Sequence, residues 1–150
     1  MIADRSKYFD LFTTDMTKHI YPAVLIIVVV FILPLASYAT QLDEGIQAYD
    51  AQDYSMAYQR LLPLAEQGDG KSQFYVGEML VGGMGIPADM DKGIYWLEQS
   101  VESKYYMAAK TLGKMYMSGF GVPMDPEKGA KYLLLYQSLL PEAETEPECD

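Results

Sequence analysis

The sequence is poor in the residues that most often carry catalytic or metal chemistry. It has a single cysteine, Cys149, and a single histidine, His19. One cysteine cannot form an intrachain disulfide, and one imidazole without a thiol cluster does not make a zinc site. The sequence also offers no Ser-His-Asp or Cys-His combination for nucleophilic catalysis. We therefore expect no catalytic residue and no bound metal ion, and the chain is not predicted to be an enzyme.

Basic residues are scarce as well. The chain has 11 lysines and arginines against 21 acids, a formal net charge of −10. Residues 40–140 contain thirteen acids and eight bases, and residues 141–150 contain five acids and no base. Without a basic patch to neutralise phosphates, nucleic acid is not an expected partner. The acidic segment 141–150 has too little apolar surface to fold, so we predict a disordered tail.

The chain has one long hydrophobic run. Residues 23–36 read AVLIIVVVFILPLA, and residues 20–39 together approach the ~20 residues that a membrane-spanning helix needs. One interpretation is a signal peptide cleaved after Ala39, since Lys18 precedes the run, Pro34 interrupts it and small residues lie before the cut. Another is a retained anchor, favoured by the long, charge-balanced leader of residues 1–19. A buried core helix is a third.

The signal-peptide and anchor interpretations predict the same side of the membrane. Lys18 lies before the run, whereas Asp43 and Glu44 lie after it. The positive-inside rule then puts the rest of the chain on the non-cytoplasmic side, in the periplasm or attached to the inner membrane.

An internal repeat is the strongest pattern in the sequence. Residues 76–102 align without a gap on residues 112–138, at an offset of 36. A period of this length is typical of stacked helix pairs. Nine aligned pairs are identical: Gly77/Gly113, Met79/Met115, Gly83/Gly119, Gly85/Gly121, Pro87/Pro123, Asp89/Asp125, Lys92/Lys128, Gly93/Gly129 and Leu97/Leu133.

Local signals support helices on both sides of a turn in each repeat. Asp125 followed by Pro126 and Glu127 predicts a helix start, and Asp89 occupies the same place in the earlier repeat. The glycine-rich segments 83–87 and 119–123 predict turns that end the preceding helices. They follow helices and lack a Lys-Ser/Thr pair, so they are not expected to bind phosphate or a nucleotide cofactor. Gly77 and Gly113 fall inside helices, which predicts close contact with a neighbouring helix.

Several segments resemble a known repeat family. Residues 64–69 read LAEQGD, residues 112–116 read LGKMY and residues 119–122 read GFGV, while residues 76–80 and 83–86 are divergent copies. Residues 45–49 and 53–57 resemble the usual first helix pair. Together these segments are similar to the Sel-one-like repeat family of tetratricopeptide-like α-solenoids, over residues 43–140. Lys104 departs from the pattern, because the family usually has a turn glycine there.

The resemblance implies an all-α fold, a short α-solenoid of antiparallel helix pairs in a repeat domain of residues 41–140. It also implies a scaffold or adaptor that binds another protein, whose identity the sequence does not give. Such proteins often occur in bacterial envelopes. One alternative is an accessory subunit of a membrane complex anchored by residues 20–39. A cell-wall ligand binder or an enzyme is a weaker alternative.

Two surfaces are candidates for the interaction. If the first helix of each pair lines the concave face, the binding residues are Tyr95, Gln99, Lys131 and Leu135. The last predicted helix, residues 126–140, is apolar around more than half of its circumference. Its residues Tyr136 and Leu139, together with Leu135, then form a face that either packs as a cap or contacts a partner or a second copy of the chain.

Overall fold

A computed structural model describes residues 33–141, and within this range the chain forms six α-helices and no β-strand. The helices are packed in adjacent pairs, which confirms the predicted all-α solenoid. They are α1 (Leu33–Asp50), α2 (Tyr54–Glu66), α3 (Gly70–Gly82), α4 (Met90–Glu102), α5 (Tyr106–Ser118) and α6 (Pro126–Leu139). A compact unit begins at Gln41, within α1, and includes the five later helices.

Most of the hydrophobic segment 20–39 and all of the tail 142–150, with Cys149, lie outside the described residues. The cleavage point predicted after Ala39 falls within α1. Cleavage at this point and retention of residues 20–39 both stay predictions. In residues 33–141, no helix combines the length and the apolar character that crossing a membrane requires.

Aspartate side chains begin four of the helices. The carboxylate of Asp89 accepts a hydrogen bond from the backbone N–H of Lys92 (3.1 Å), and Asp125 accepts one from Lys128 (2.9 Å). These bonds satisfy N–H groups that lack a partner within the helix, as the sequence predicted. Asp53 and Asp69 cap α2 and α3 in the same way. The first helix of each repeat also ends in the same way. Both α3 and α5 terminate at a glycine in the left-handed conformation, Gly83 and Gly119 respectively.

The tightest helix contacts join α3 to α4 and α5 to α6. A Cβ atom on Gly77 would lie 2.9 Å from Cγ of Leu97 and 3.0 Å from the carbonyl oxygen of Gly93. In the second pair, a Cβ on Gly113 would lie 2.8 Å from Leu133 and 3.2 Å from the carbonyl oxygen of Gly129. The close contact predicted from the two helical glycines is confirmed, and it makes α3–α4 and α5–α6 the two repeat units.

Two hydrophobic clusters form the core, one at each repeat junction. Each combines buried aliphatic residues with partly buried aromatic rings, so every helix pair depends on its neighbour for cover. The first cluster lies among α1, α2 and α3 and contains Ala48, Ala57, Leu61, Ala65, Val76, Met79 and Leu80. The second lies among α3, α4 and α5 and contains Phe74, Leu97, Ala108, Leu112, Met115 and Tyr116.

A small buried polar network joins α2, α3 and α4. The amide of Gln73 donates to the carbonyl of Ala65 (3.1 Å) and its oxygen accepts from Ser103 (3.0 Å). Ser100, fully buried, donates to the carbonyl of Gly70 (2.6 Å). Because Gln73 and Ser100 are buried and their hydrogen bonds are satisfied, they fix the spacing of three helices rather than form a reactive site.

The turn at Lys104 uses a left-handed backbone conformation without a glycine. Lys104 has φ +62°, in the left-handed region that glycine adopts most readily. Gly68, 36 residues earlier, has φ +94° in the matching turn. Lysine at position 104 therefore leaves the turn in place and strains the backbone of that one residue.

The last helix has little cover within the described chain. Gly129 is its one buried residue, and Leu134 and Leu135 are 65% and 36% exposed. Tyr136 stacks on Tyr106 of α5 with ring centroids 6.0 Å apart. One side of α6 thus packs on α5, with Leu133 against Gly113, while Leu134 and Leu135 face outward.

Candidate functional site

Two adjoining cavities open between α3 and α5. Their volumes are about 280 and 360 Å³, and both are lined by Glu78, Val81, Thr111 and Phe120. We call this surface the central groove, defined by those four residues. Phe120 is 57% exposed although it is large and apolar. A groove with apolar walls and a few polar groups has the make-up of a binding surface.

Glu78 is the polar centre of the groove. Its carboxylate accepts hydrogen bonds from the hydroxyl of Tyr49 on α1 (3.1 Å) and from the hydroxyl of Thr111 on α5. Burial raises the pKa of Glu78, and the two hydrogen bonds only partly offset that effect. One side chain of α3 thereby connects three helices of successive repeats.

Aromatic rings pack against one another on the helices that form the groove and on their neighbours. The ring of Tyr49 lies 4.7 Å from Tyr75 and 5.4 Å from Tyr54, and Phe74 lies 5.3 Å from Tyr105. Burial raises the pKa of the Tyr49 hydroxyl far above its usual range and that of Tyr105 to about 12. These phenols stay protonated at neutral pH, so Tyr49 acts as a hydrogen-bond donor and not as a base.

Outside the central groove, residues 33–141 provide fewer features of a binding site. A third cavity of about 390 Å³ lies between α1 and α2, where Arg60 and Glu44 already form an ion pair at 3.5 Å. No group of three His, Cys, Asp or Glu side chains within residues 33–141 is placed to hold a metal ion. The arrangement in the central groove suits the binding of another molecule.

The binding residues predicted from the sequence lie on other surfaces. Tyr95, 54% exposed, and Gln99 are on α4, where Gln99 donates to Glu102. Lys131 is on α6 and pairs with Glu127 at 2.9 Å. The prediction placed them on the first helix of each pair, but α4 and α6 are the second helices. None of the predicted residues, including Leu135, Tyr136 and Leu139, lines the two cavities of the central groove. They remain predictions for a different face.

A sequence signal for the groove did exist. Glu78 and Lys114 occupy the same position in the two repeats, and both are flanked by an identical glycine and an identical methionine. The flanking residues are buried against neighbouring helices, so the position between them faces away from the core. Both side chains line the second of the two cavities. The charge at this position differs between the two repeats, whereas the glycine and the methionine on either side of it are identical. This difference is the sequence pattern that indicates the groove.

Comparison with known proteins supports the repeat assignment. The Sel1 repeat family model matches residues 70–105 and 101–135, which correspond to α3–α4 and α5–α6. No curated protein matches the chain.

Solved structures share the fold. A Sel1 repeat protein from Oxalobacter formigenes is 25% identical, with a TM-score of 0.54 over 56% of this chain and 24% of that one. A protective antigen present in uropathogenic Escherichia coli strains, which displays an SLR fold, is 19% identical, with a TM-score of 0.55 over 71% of this chain and 27% of that one. This chain thus spans about a quarter of each relative. The two matched repeats and the shared fold identify residues 70–135 as Sel1 repeats, a fold that generally serves as a non-catalytic scaffold for protein interaction.

Proposed function

We propose that this chain is a non-enzymatic scaffold that holds a protein partner in the central groove. The observation that carries the proposal is the open groove between two successive repeats, with exposed Phe120 beside the partly buried carboxylate of Glu78. Large exposed aromatic residues next to a cavity are the kind of residues that dominate the energy of protein interfaces.

The same proposal places the scaffold at the bacterial cell envelope, with the repeats on the non-cytoplasmic side. Its support is the hydrophobic segment 20–39, preceded by Lys18 and followed by Asp43 and Glu44. Mass spectrometry of the mature protein tests this directly. A chain that begins at Thr40 supports export and cleavage, a membrane-bound chain that retains residues 20–39 supports the anchor, and a soluble cytoplasmic chain that retains them contradicts the envelope location.

Site-specific photocrosslinking in living cells tests the groove. A photoreactive amino acid at Lys114, an exposed residue that lines the groove, is expected to capture a partner. The same amino acid at Lys131, exposed on α6, is the matched control. Capture from position 114 alone supports the groove, whereas capture from position 131 alone places the partner on α6.

A further inference from the structure

The carboxylate of Glu78 is partly removed from water, yet its contacts are uncharged. Its two hydrogen-bond donors, Tyr49 and Thr111, are hydroxyl groups. Taking a carboxylate out of water costs free energy that hydroxyl donors offset only in part, and a cation offsets it more fully. The raised pKa of Glu78 reports this incomplete compensation.

No cation of the described chain fills that role. The ion pairs among residues 38–141 are Arg60–Glu44, Lys92–Asp89 and Lys131–Glu127, and none includes Glu78. Lys114 lines the same groove, but its side chain is exposed and makes no ion pair with Glu78. The groove therefore presents a carboxylate that is free to pair with a charge from another molecule.

The walls around this carboxylate are suited to an aliphatic stem. Beside Glu78 and Thr111, the smaller cavity is lined by Val81, Gly82, Met84, Leu97 and Phe120. Lysine and arginine side chains bury such stems along apolar surfaces while the charged head finds a partner. The surplus of acids over bases in residues 40–140, thirteen against eight, also favours a cationic partner.

We propose that Glu78 pairs with a lysine or arginine side chain of a partner polypeptide, whose stem lies against Val81 and Phe120. This inference rests on the proposed function, because it specifies what the central groove recognises. It predicts that the partner contributes a basic residue flanked by apolar ones. The basic residue would pair with Glu78, and the apolar residues would contact the apolar walls of the groove.

A peptide selection tests the inference. Phage-displayed random dodecapeptides are selected on the purified full chain, and the best peptide is synthesised together with a copy in which norleucine replaces lysine or citrulline replaces arginine. Both peptides are then titrated against the wild type, Glu78→Gln and Glu66→Gln. Glutamine at position 78 keeps one acceptor oxygen and gains an N–H donor, so it can still hydrogen-bond the hydroxyls of Tyr49 and Thr111, which can donate or accept. Glu66 is an exposed residue at the end of α2 that serves as the charge-matched control.

The expected result is a selected peptide with a basic residue that binds the wild type and Glu66→Gln at least about tenfold more tightly than its neutral copy. Against Glu78→Gln both peptides should bind about as tightly as the neutral copy binds the wild type, whereas a purely structural role of Glu78 would weaken the neutral copy as well. Peptides without a basic residue, or a preference for the basic peptide that survives in Glu78→Gln, would overturn the inference and leave the scaffold function standing. If the chain selects no peptide at all, the inference and a peptide-binding groove fail together.

Discussion

Gly77 on α3 and Gly93 on α4 approach each other so closely that neither position has room for a methyl group. A Cβ on Gly77 would lie 3.0 Å from the carbonyl oxygen of Gly93, and a Cβ on Gly93 would lie 3.0 Å from the carbonyl oxygen of Gly77. Gly113 and Gly129 repeat the arrangement 36 residues later. The contact sets how closely each helix pair packs.

Alanine at Gly77 should therefore destabilise the fold. The added methyl group would meet a backbone carbonyl and the buried Leu97, which cannot both move without loosening the pair, at a cost of about 1–3 kcal/mol. Gly82→Ala is the control, because there the methyl group would meet the flexible end of Met84. Urea unfolding followed by circular dichroism gives both values, and equal stability of Gly77→Ala and Gly82→Ala would contradict the account.

The helix starts give a second prediction. Asp125→Ala should lower the free energy of unfolding by about 1 kcal/mol, because the N–H of Lys128 loses its acceptor. Asp125→Asn should retain most of the stability, since the amide oxygen still accepts. Glu127→Ala, an exposed change in the same helical turn, should cost less. If Asp125→Ala were as stable as Asp125→Asn, the hydrogen bond from the side chain of residue 125 would not be what stabilises the start of α6.

The sequence alone was sufficient to predict the fold. For the groove it offered only the difference in charge between Glu78 and Lys114, which does not show how the repeats bring the lining residues together. Asp89, Asp125 and the paired glycines act locally or between adjacent helices, so their spacing determined the helix pairs and the repeat length. Glu78 gains its role only when α1 and α5 bring Tyr49 and Thr111 to it, from 29 residues before and 33 residues after. Contacts between repeats depend on how the pairs stack, and the pattern within one pair does not determine that.

The turn at Lys104 provides a third prediction. Lys104→Gly should raise the free energy of unfolding by roughly 0.5–1 kcal/mol, because glycine adopts φ +62° without the steric cost that a side chain imposes. The same substitution at Lys114, within α5, should lower it by about 1 kcal/mol. Thermal unfolding of the two variants beside the wild type shows the sign directly. A destabilised Lys104→Gly variant would mean that the lysine side chain makes a contribution larger than the strain.

Glu78 gives a prediction for the pH dependence of stability. Burial raises the pKa of its carboxyl group in the folded state above the unfolded value, so the folded state binds the proton more tightly. The contribution of Glu78 to stability is thus least favourable above its folded pKa and improves as the pH falls through that pKa towards the unfolded value. Glu78→Gln should be more stable than the wild type at neutral pH, with the difference shrinking on acidification. Chemical unfolding at several pH values measures it, and a difference that grows on acidification would contradict the assignment.

Two exposed apolar residues distinguish the central groove from the last helix as the binding surface. Phe120 lies at the groove and is 57% exposed, whereas Leu134 lies on α6 and is 65% exposed. An aspartate at either position should leave the fold intact, because neither side chain is buried. The decisive measurement is quantitative mass spectrometry of the proteins crosslinked to the wild type, Phe120→Asp and Leu134→Asp in cells. The scaffold account predicts that Phe120→Asp loses at least about nine-tenths of the partner, a change of roughly 1.4 kcal/mol in binding, and that Leu134→Asp retains it; loss in Leu134→Asp with full capture by Phe120→Asp would contradict it.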